Sequence, residues 1–254
     1  MKTLHLAIPI VVLILFSTVM IFISNELWSI GLVASIICLV VLFILKDALD
    51  WRYYQKHPPE LELKVKTILD QVPFYKHLNQ EQKKKFETRL ALFIIAHKFK
   101  IQPTKRLLDE EDEFEAPDDL KAYCSIPAII LTFEQESYLC PEILQIIFYN
   151  HPFPSPAYKI LHHSEYNAED KVLIFSVPHL RKGVLEPYVY FDLGMYEWSR
   201  ASQIQSIGSD WNTFEKTYGI MKVQAEASIG LTAPDIKSVQ KVFEVHRSYL
   251  TLLL

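Results

Sequence analysis

Nine histidines and 30 carboxylates are the side chains with which this chain could bind a metal or move a proton. Their spacing decides what chemistry is open to it. A His-x-x-x-His pair would set two imidazoles one helical turn apart on one face, ready for zinc, and no such pair occurs. His162 and His163 are adjacent, so on a strand they point to opposite faces and cannot share one ion. His97 falls on the apolar face of a predicted helix and reads as a half-buried core residue, while His151 and His179 stand singly in expected loops. Asp109–Glu115, DEEDEFE, is densely acidic but lacks the glycine and the ligand rhythm of an EF-hand, so it reads as a solvated loop. Cys38, Cys124 and Cys140 form no spaced framework, which suits a reducing compartment.

The stretch around which the rest is expected to be organised is Tyr188–Arg200, YVYFDLGMYEWSR. Its only charges are Asp192, Glu197 and Arg200. At helical spacing Tyr188, Phe191, Met195 and Trp198 share one face, which predicts a buried helix. Tyr188–Phe191 is also good strand material, so the boundary of that helix can fall inside the stretch.

The flanking chain resembles the MtfA-like zinc peptidase family, over roughly residues 60–250. One matching segment is Val72–Phe99, through Pro73, Phe74, Tyr75, Leu78, Phe86, Arg89, Phe93 and Phe99. Another is Ile126–Phe153, with LTFEQESYLCPEILQIIFYNHPF, and a third is KVLIFSVPHLRKG within Asp170–Pro187. The resemblance implies a zincin fold whose helix carries His-Glu-x-x-His, two zinc ligands and a water-polarising carboxylate. Those positions fall here on Phe191-Asp192-Leu193-Gly194-Met195. Phenylalanine cannot ligate, a thioether suits copper(I) better than zinc, and Asp192 is shorter than the glutamate it would replace. The downstream glutamate that is the family's third ligand is best matched by Glu226, either as a relic of that ligand or as a carboxylate paired with Lys or Arg. The resemblance therefore implies a peptidase fold without its site, and no bound cofactor unless the motif lies elsewhere, in which case zinc.

The elements that would position this stretch are an α+β domain at residues 60–254, with a small sheet and a central helix starting between Pro187 and Phe191. Ile143–Tyr149 and Val172–Ser176 are its predicted strands. Asn79 can cap a helix from Gln80 with Phe86, Leu90, Phe93 and Ile94 on one face. Pro117-Asp118-Asp119 opens another, which Pro127 should kink. Leu61–Leu69 reads as a short helix, Asp210–Gly219 as a helix or loop, and Ile236–Leu254 as a closing amphipathic helix through Val239, Val242, Phe243 and Tyr249.

Before this domain, Leu6–Ile23 and Leu27–Leu45 are uncharged apolar runs, each longer than the roughly 17 residues a spanning helix needs. With only Ser24-Asn25-Glu26 between them, residues 1–46 are expected to form a transmembrane helical hairpin, inserted in the bilayer through residues 6–45. Lys2 lies at one outer end and Lys46, Arg52 and Lys56 at the other, so the positive-inside rule puts both termini and the domain in the cytoplasm, at an inner membrane. Residues 47–59 are a juxtamembrane linker whose Trp51, Tyr53 and Tyr54 suit the lipid–water interface and whose Pro58-Pro59 marks the domain boundary. A net charge of −4 gives no sign of nucleic-acid binding. The lysines Lys83-Lys84-Lys85 read as a solvated face, with anionic lipid headgroups as the alternative. The resulting expectation is a membrane-anchored pseudo-peptidase that binds a protein partner, such as the transcriptional regulator that the family is associated with capturing. Its rivals are an active zinc peptidase with an unrecognised site and a non-catalytic membrane assembly module.

Overall fold

The computed structural model describes residues 3–23, 27–102, 114–155, 158–231 and 233–250. The turn 24–26, the acids 109–113, Pro156 and residues 251–254 lie outside them. The chain divides into two compact units, Met1–Pro59 and Glu60–Leu254.

The first unit holds α1 (Thr3–Ile23) and α2 (Leu27–Lys56). Among the described residues one segment, Ser29–Lys56, is long and apolar enough to cross a membrane, and Ile8–Val19 is a shorter apolar helical stretch. Large side chains point outward, with Leu15 63%, Ile30 69% and Phe43 77% exposed, whereas the small Ser17 and Ser35 are buried. A Cβ added to Gly31 would lie 3.8 Å from Ser17 Oγ, ordinary contact distance. The Ser35 hydroxyl donates to the Gly31 carbonyl one turn back, which removes its need for water. Within the expected linker at residues 47–59, α2 runs unbroken through Trp51, Tyr53 and Tyr54 and stops before Pro58-Pro59, the expected helix stop. Nothing from Asp47 to Lys56 breaks a helix, so charge alone does not end it.

The second unit is α+β. Strands β1 (Phe99–Ile101), β2 (Gln145–Tyr149), β5 (Ser164–Asn167) and β6 (Val172–Ser176) form one sheet in the order β1-β2-β6-β5. The β1–β2 and β2–β6 pairs are parallel, with Ile147 opposite Ile174, and β5 closes one edge antiparallel to β6. The two predicted strands thus share a sheet, although the first begins at Gln145 rather than Ile143. Strands β3 (Phe153–Ser155) and β4 (Tyr158–His162) make a separate antiparallel pair.

Two short helices, α3 (Leu63–Leu69) and α4 (Pro73–His77), lead to α5 (Gln80–Ala96). The Asn79 side chain accepts from the Gln82 amide and Gln82 returns the bond to the Asn79 amide, so the predicted cap is a reciprocal capping box. The helix at the middle of this unit is α6 (Asp118–Leu131), in which every side chain from Leu120 to Leu131 is buried. It packs on α3, α5, α7 (Val177–Leu185) and α8 (Leu193–Ala201). Arg89 of α5 secures its far end by donating to the carbonyls of Thr132 and Phe133 at 3.1 Å and of Gln135 at 2.7 Å. Phe74, Phe86 and Phe133 pack ring on ring beside it, so four of the aromatic and basic residues that carry the family resemblance or adjoin it have a packing role here. Helices α9 (Trp211–Tyr218), α10 (Lys222–Ile229) and α11 (Ile236–Leu250) complete the unit.

Candidate functional site

The expected helix start between Pro187 and Phe191 is displaced: α8 begins at Leu193, with Asp192 as its N-cap. The Asp192 carboxylate accepts the Met195 amide at 2.9 Å, a local bond available to a short carboxylate and one that fixes the first turn. The residues before it form turns, in which the Val189 and Tyr190 amides both donate to the Glu186 carbonyl. Tyr188 is therefore outside the helix and 57% exposed, so it does not share a buried face with Met195 and Trp198. Neither does Tyr188–Phe191 form a strand.

Each position of the degenerate motif has a structural occupation. Met195 is fully buried in the core. Phe191 is half-buried, its ring 5.8 Å from Tyr196 and 6.1 Å from Phe243. Gly194 lets α8 approach α6 closely, since a Cβ there would lie 2.7 Å from Pro127 Cγ. At that crossing the Trp198 indole donates to the Cys124 carbonyl at 2.8 Å. Glu226 accepts the Ala233 amide at 3.1 Å and lies 3.8 Å from Lys222 Nζ, the paired-carboxylate alternative of the sequence reading.

Asp192 has one contact that the sequence did not suggest. Its second oxygen lies 3.5 Å from His246 Nε2, and His246 Nδ1 meets the Tyr249 hydroxyl, both on α11. Asp192 and His246 are buried, and burial pushes the Tyr249 phenol far up, helped by the Asp192 charge. This Asp–His–Tyr chain sits under a cleft of about 550 Å³. The cleft is lined by the Pro187–Asp192 turn, the α9–α10 region and α11, including Phe191, Tyr218, Ile220, Ala225 and Phe243. The amphipathic pattern marks Tyr249 as core-facing but does not mark His246 or its approach to Asp192, because α11 reaches Asp192 only through tertiary packing.

The other charges of the stretch pair with each other. Glu197 is fully buried and accepts from Arg200 at 2.7 Å and from Ser164 of β5 at 2.8 Å. Burial works to lower the Arg200 pKa, but Glu197, Tyr196 and Asp235 together raise it above its ordinary value, so the guanidinium stays charged. Arg200 also lies over the rings of Tyr166 and Tyr196, in a second cavity of about 450 Å³.

Of the histidines, His97 is a core residue and His151 a loop residue as expected, whereas His179 is not in a loop. His97 is buried, its ring nitrogens facing the carbonyls of Phe93 and Cys140. His179 is in α7, not in a loop, because Val177-Pro178 starts that helix directly after β6. His163 and His179 stand edge to face with ring centres 3.7 Å apart, too close for both rings to ligate a metal held between them. His162 instead faces Phe153. His151 turns a ring nitrogen to the Pro152 carbonyl. Among the described residues no group of three His, Cys, Asp or Glu is placed to hold a metal ion. Glu115, the described end of the acidic run, pairs with Lys121. The thiols of Cys124 and Cys140 are free and buried, and burial raises both pKa values, to about 12 for Cys140.

Comparison with models of known protein families, with curated proteins and with solved structures finds no match to this chain.

Proposed function

We propose that this chain is a membrane-anchored pseudo-peptidase, a degenerate MtfA-like zincin that works by binding a protein partner rather than by cleaving one. The observation that carries the reading is the commitment of the would-be zinc ligands. Phe191 packs on aromatic rings, Met195 is in the core, and Glu226 is held by Lys222 and the Ala233 amide. A catalytic zinc requires three protein ligands and an open position for water, and one carboxylate cannot retain it. Asp192 is committed to capping α8, where it accepts the Met195 amide, and is 2% exposed, which does not suit the role of a water-polarising base. Support for the zincin-like part comes from the small mixed sheet in which β2 and β6 pair directly, and from the contact of α8 with the edge strand β5.

The anchor in this reading is a two-helix hairpin of α1 and α2 in the inner membrane, with the domain in the cytoplasm. The apolar exteriors of both helices and the small residues Ser17, Gly31 and Ser35 favour it, because close helix contact in lipid relies on small side chains. The partner is a protein such as a regulator, which would be brought to the bilayer. The test is metal analysis of the purified full-length chain prepared without a metal-binding tag. The expected result is no stoichiometric zinc and no peptide cleavage. One tightly bound zinc per chain, lost together with a chelator-sensitive peptidase activity, would replace this reading with that of an active enzyme.

A further inference from the structure

The contact of His163 with His179 has no part in the degenerate motif. His163 stands at the bend between β4 and β5, and its carbonyl accepts the Ser176 amide at 2.8 Å. His179 of α7 meets it edge to face, with ring centres 3.7 Å apart, and faces the Ser176 hydroxyl through Nδ1 at 3.0 Å. The His163 ring also packs on Gly230, the C-cap of α10, where an added Cβ would lie 2.8 Å from His163 Cδ2. Helix α10 buries only Ala225 and Ile229, so the His163 ring reinforces a thin attachment at its C-terminal end. That helix gives Ala225 and Ser228 to the cleft above Asp192, and the chain just past it gives Leu231 and Ala233 to the cavity beside Arg200.

The geometry suits neutral rings. His163 Nδ1 is buried and has no hydrogen-bond partner. An imidazolium donates from both nitrogens, so a charged His163 in this position would bury an unmade donor. The surrounding charges add to the penalty. His162 of β4 acts on His163, and Lys182 of α7 acts on His179. Glu165 of β5 acts on His162, and Glu226 of α10 is held by Lys222 and the Ala233 amide, so among the described residues no carboxylate offsets a charge on the pair. The C-terminal carbonyls of α10 favour a first proton on His163, and a second on His179 would then face two cations. Burial and these neighbours hold both rings below their ordinary value of 6.5, so they are neutral at pH 7 and charge only below it.

We propose that the His163–His179 contact is a proton-operated latch, which fixes the C-terminal end of α10 while both rings are neutral and releases it when they are charged. Because α10 and the residues after it wall both cavities, acid alters both together. The latch is independent of whether the domain captures a protein.

The experiment is hydrogen exchange of the full-length protein in phosphatidylcholine nanodiscs, read by mass spectrometry at about pH 7.5 and about pH 5.5 and corrected for the intrinsic exchange rate at each. The amides of Glu226–Leu231 are expected to exchange about tenfold faster at the lower pH, the effect of one pKa unit between latched and released states, while those of α6 keep their protection. His163→Phe keeps a ring on Gly230 that cannot take a proton, and should hold that protection at both pH values. His179→Arg sets a permanent charge against His163, and should give at the higher pH the exchange that the unmodified protein shows only at the lower. Equal corrected exchange at the two pH values, acceleration shared by α6, a full acid response in His163→Phe, or unchanged exchange in His179→Arg would each overturn the proposal.

Discussion

At the scale of single residues, the contrast between Asp192 and Met195 sets what can be restored. Phe191 precedes the helix cap and Met195 lies in the first turn, so the two do not sit one turn apart on a helical face. Phe191→His with Met195→His is therefore expected not to create zinc affinity, as isothermal titration with zinc would record. It should destabilise the domain, since removing the buried Met195 side chain alone costs about 2–5 kcal/mol. Stoichiometric zinc binding by the double variant would mean that the α8 register is wrong. The histidines supply a second expectation. Burial lowers the pKa of His97, His163 and His179 below their ordinary 6.5, and for His179 the neighbouring His163 and Lys182 add to it. The folded protein then binds fewer protons than the unfolded one, so this stability is full above about pH 6.5 and is lost as pH falls through the folded values. Denaturant midpoints should fall between pH 7 and pH 5, and His179→Gln should flatten that slope. A slope unchanged by the substitution would remove His179 from the account.

At the scale of elements, the meeting of α6 and α8 governs the domain. Pro127 sits inside α6 where Gly194 of α8 passes, and Leu180 of α7 closes the same spot, 3.1 Å from a Cβ added at Gly194. The Pro127 ring is rigid and cannot turn aside, so Gly194→Ala should force the helices apart. The expected cost is about 1–3 kcal/mol, typical of overpacking, read as a lower midpoint in chemical denaturation. A neutral effect would show that the crossing can relax. Much of this level was legible in advance. The Asn79 cap, the two sheet strands and the start of α6 each rest on local chemistry, namely a side-chain oxygen, β-branched runs and a proline followed by acids. The start of α8 was not legible. Tyr188–Phe191 satisfies an apolar periodicity as well as Met195 does, and only the Asp192 cap and the contacts of Gly183 with the Phe191 backbone decide where the helix begins.

At the scale of the whole molecule, the order of parts follows from composition, an apolar N-terminus and then a domain with mixed charge. If both termini face the cytoplasm, a reporter fused after Leu254 should be active only as a cytoplasmic fusion, and activity on the far side of the membrane would reverse the topology. The sequence by itself determined which segments need lipid or a core, which residues cap helices, and that the His-Glu-x-x-His chemistry is missing, because each depends on residue type and short spacing. Only the tertiary structure decided that α6 is buried all round, that the buried Glu197 accepts from Ser164 of β5 as well as from Arg200, and that His246 and Tyr249 lie behind Asp192. The contacts of Glu197 with Ser164 and of Asp192 with His246 join residues far apart in the chain. Their formation depends on how helices pack, which side-chain volumes and a glycine at one crossing set, and no local pattern of types records it.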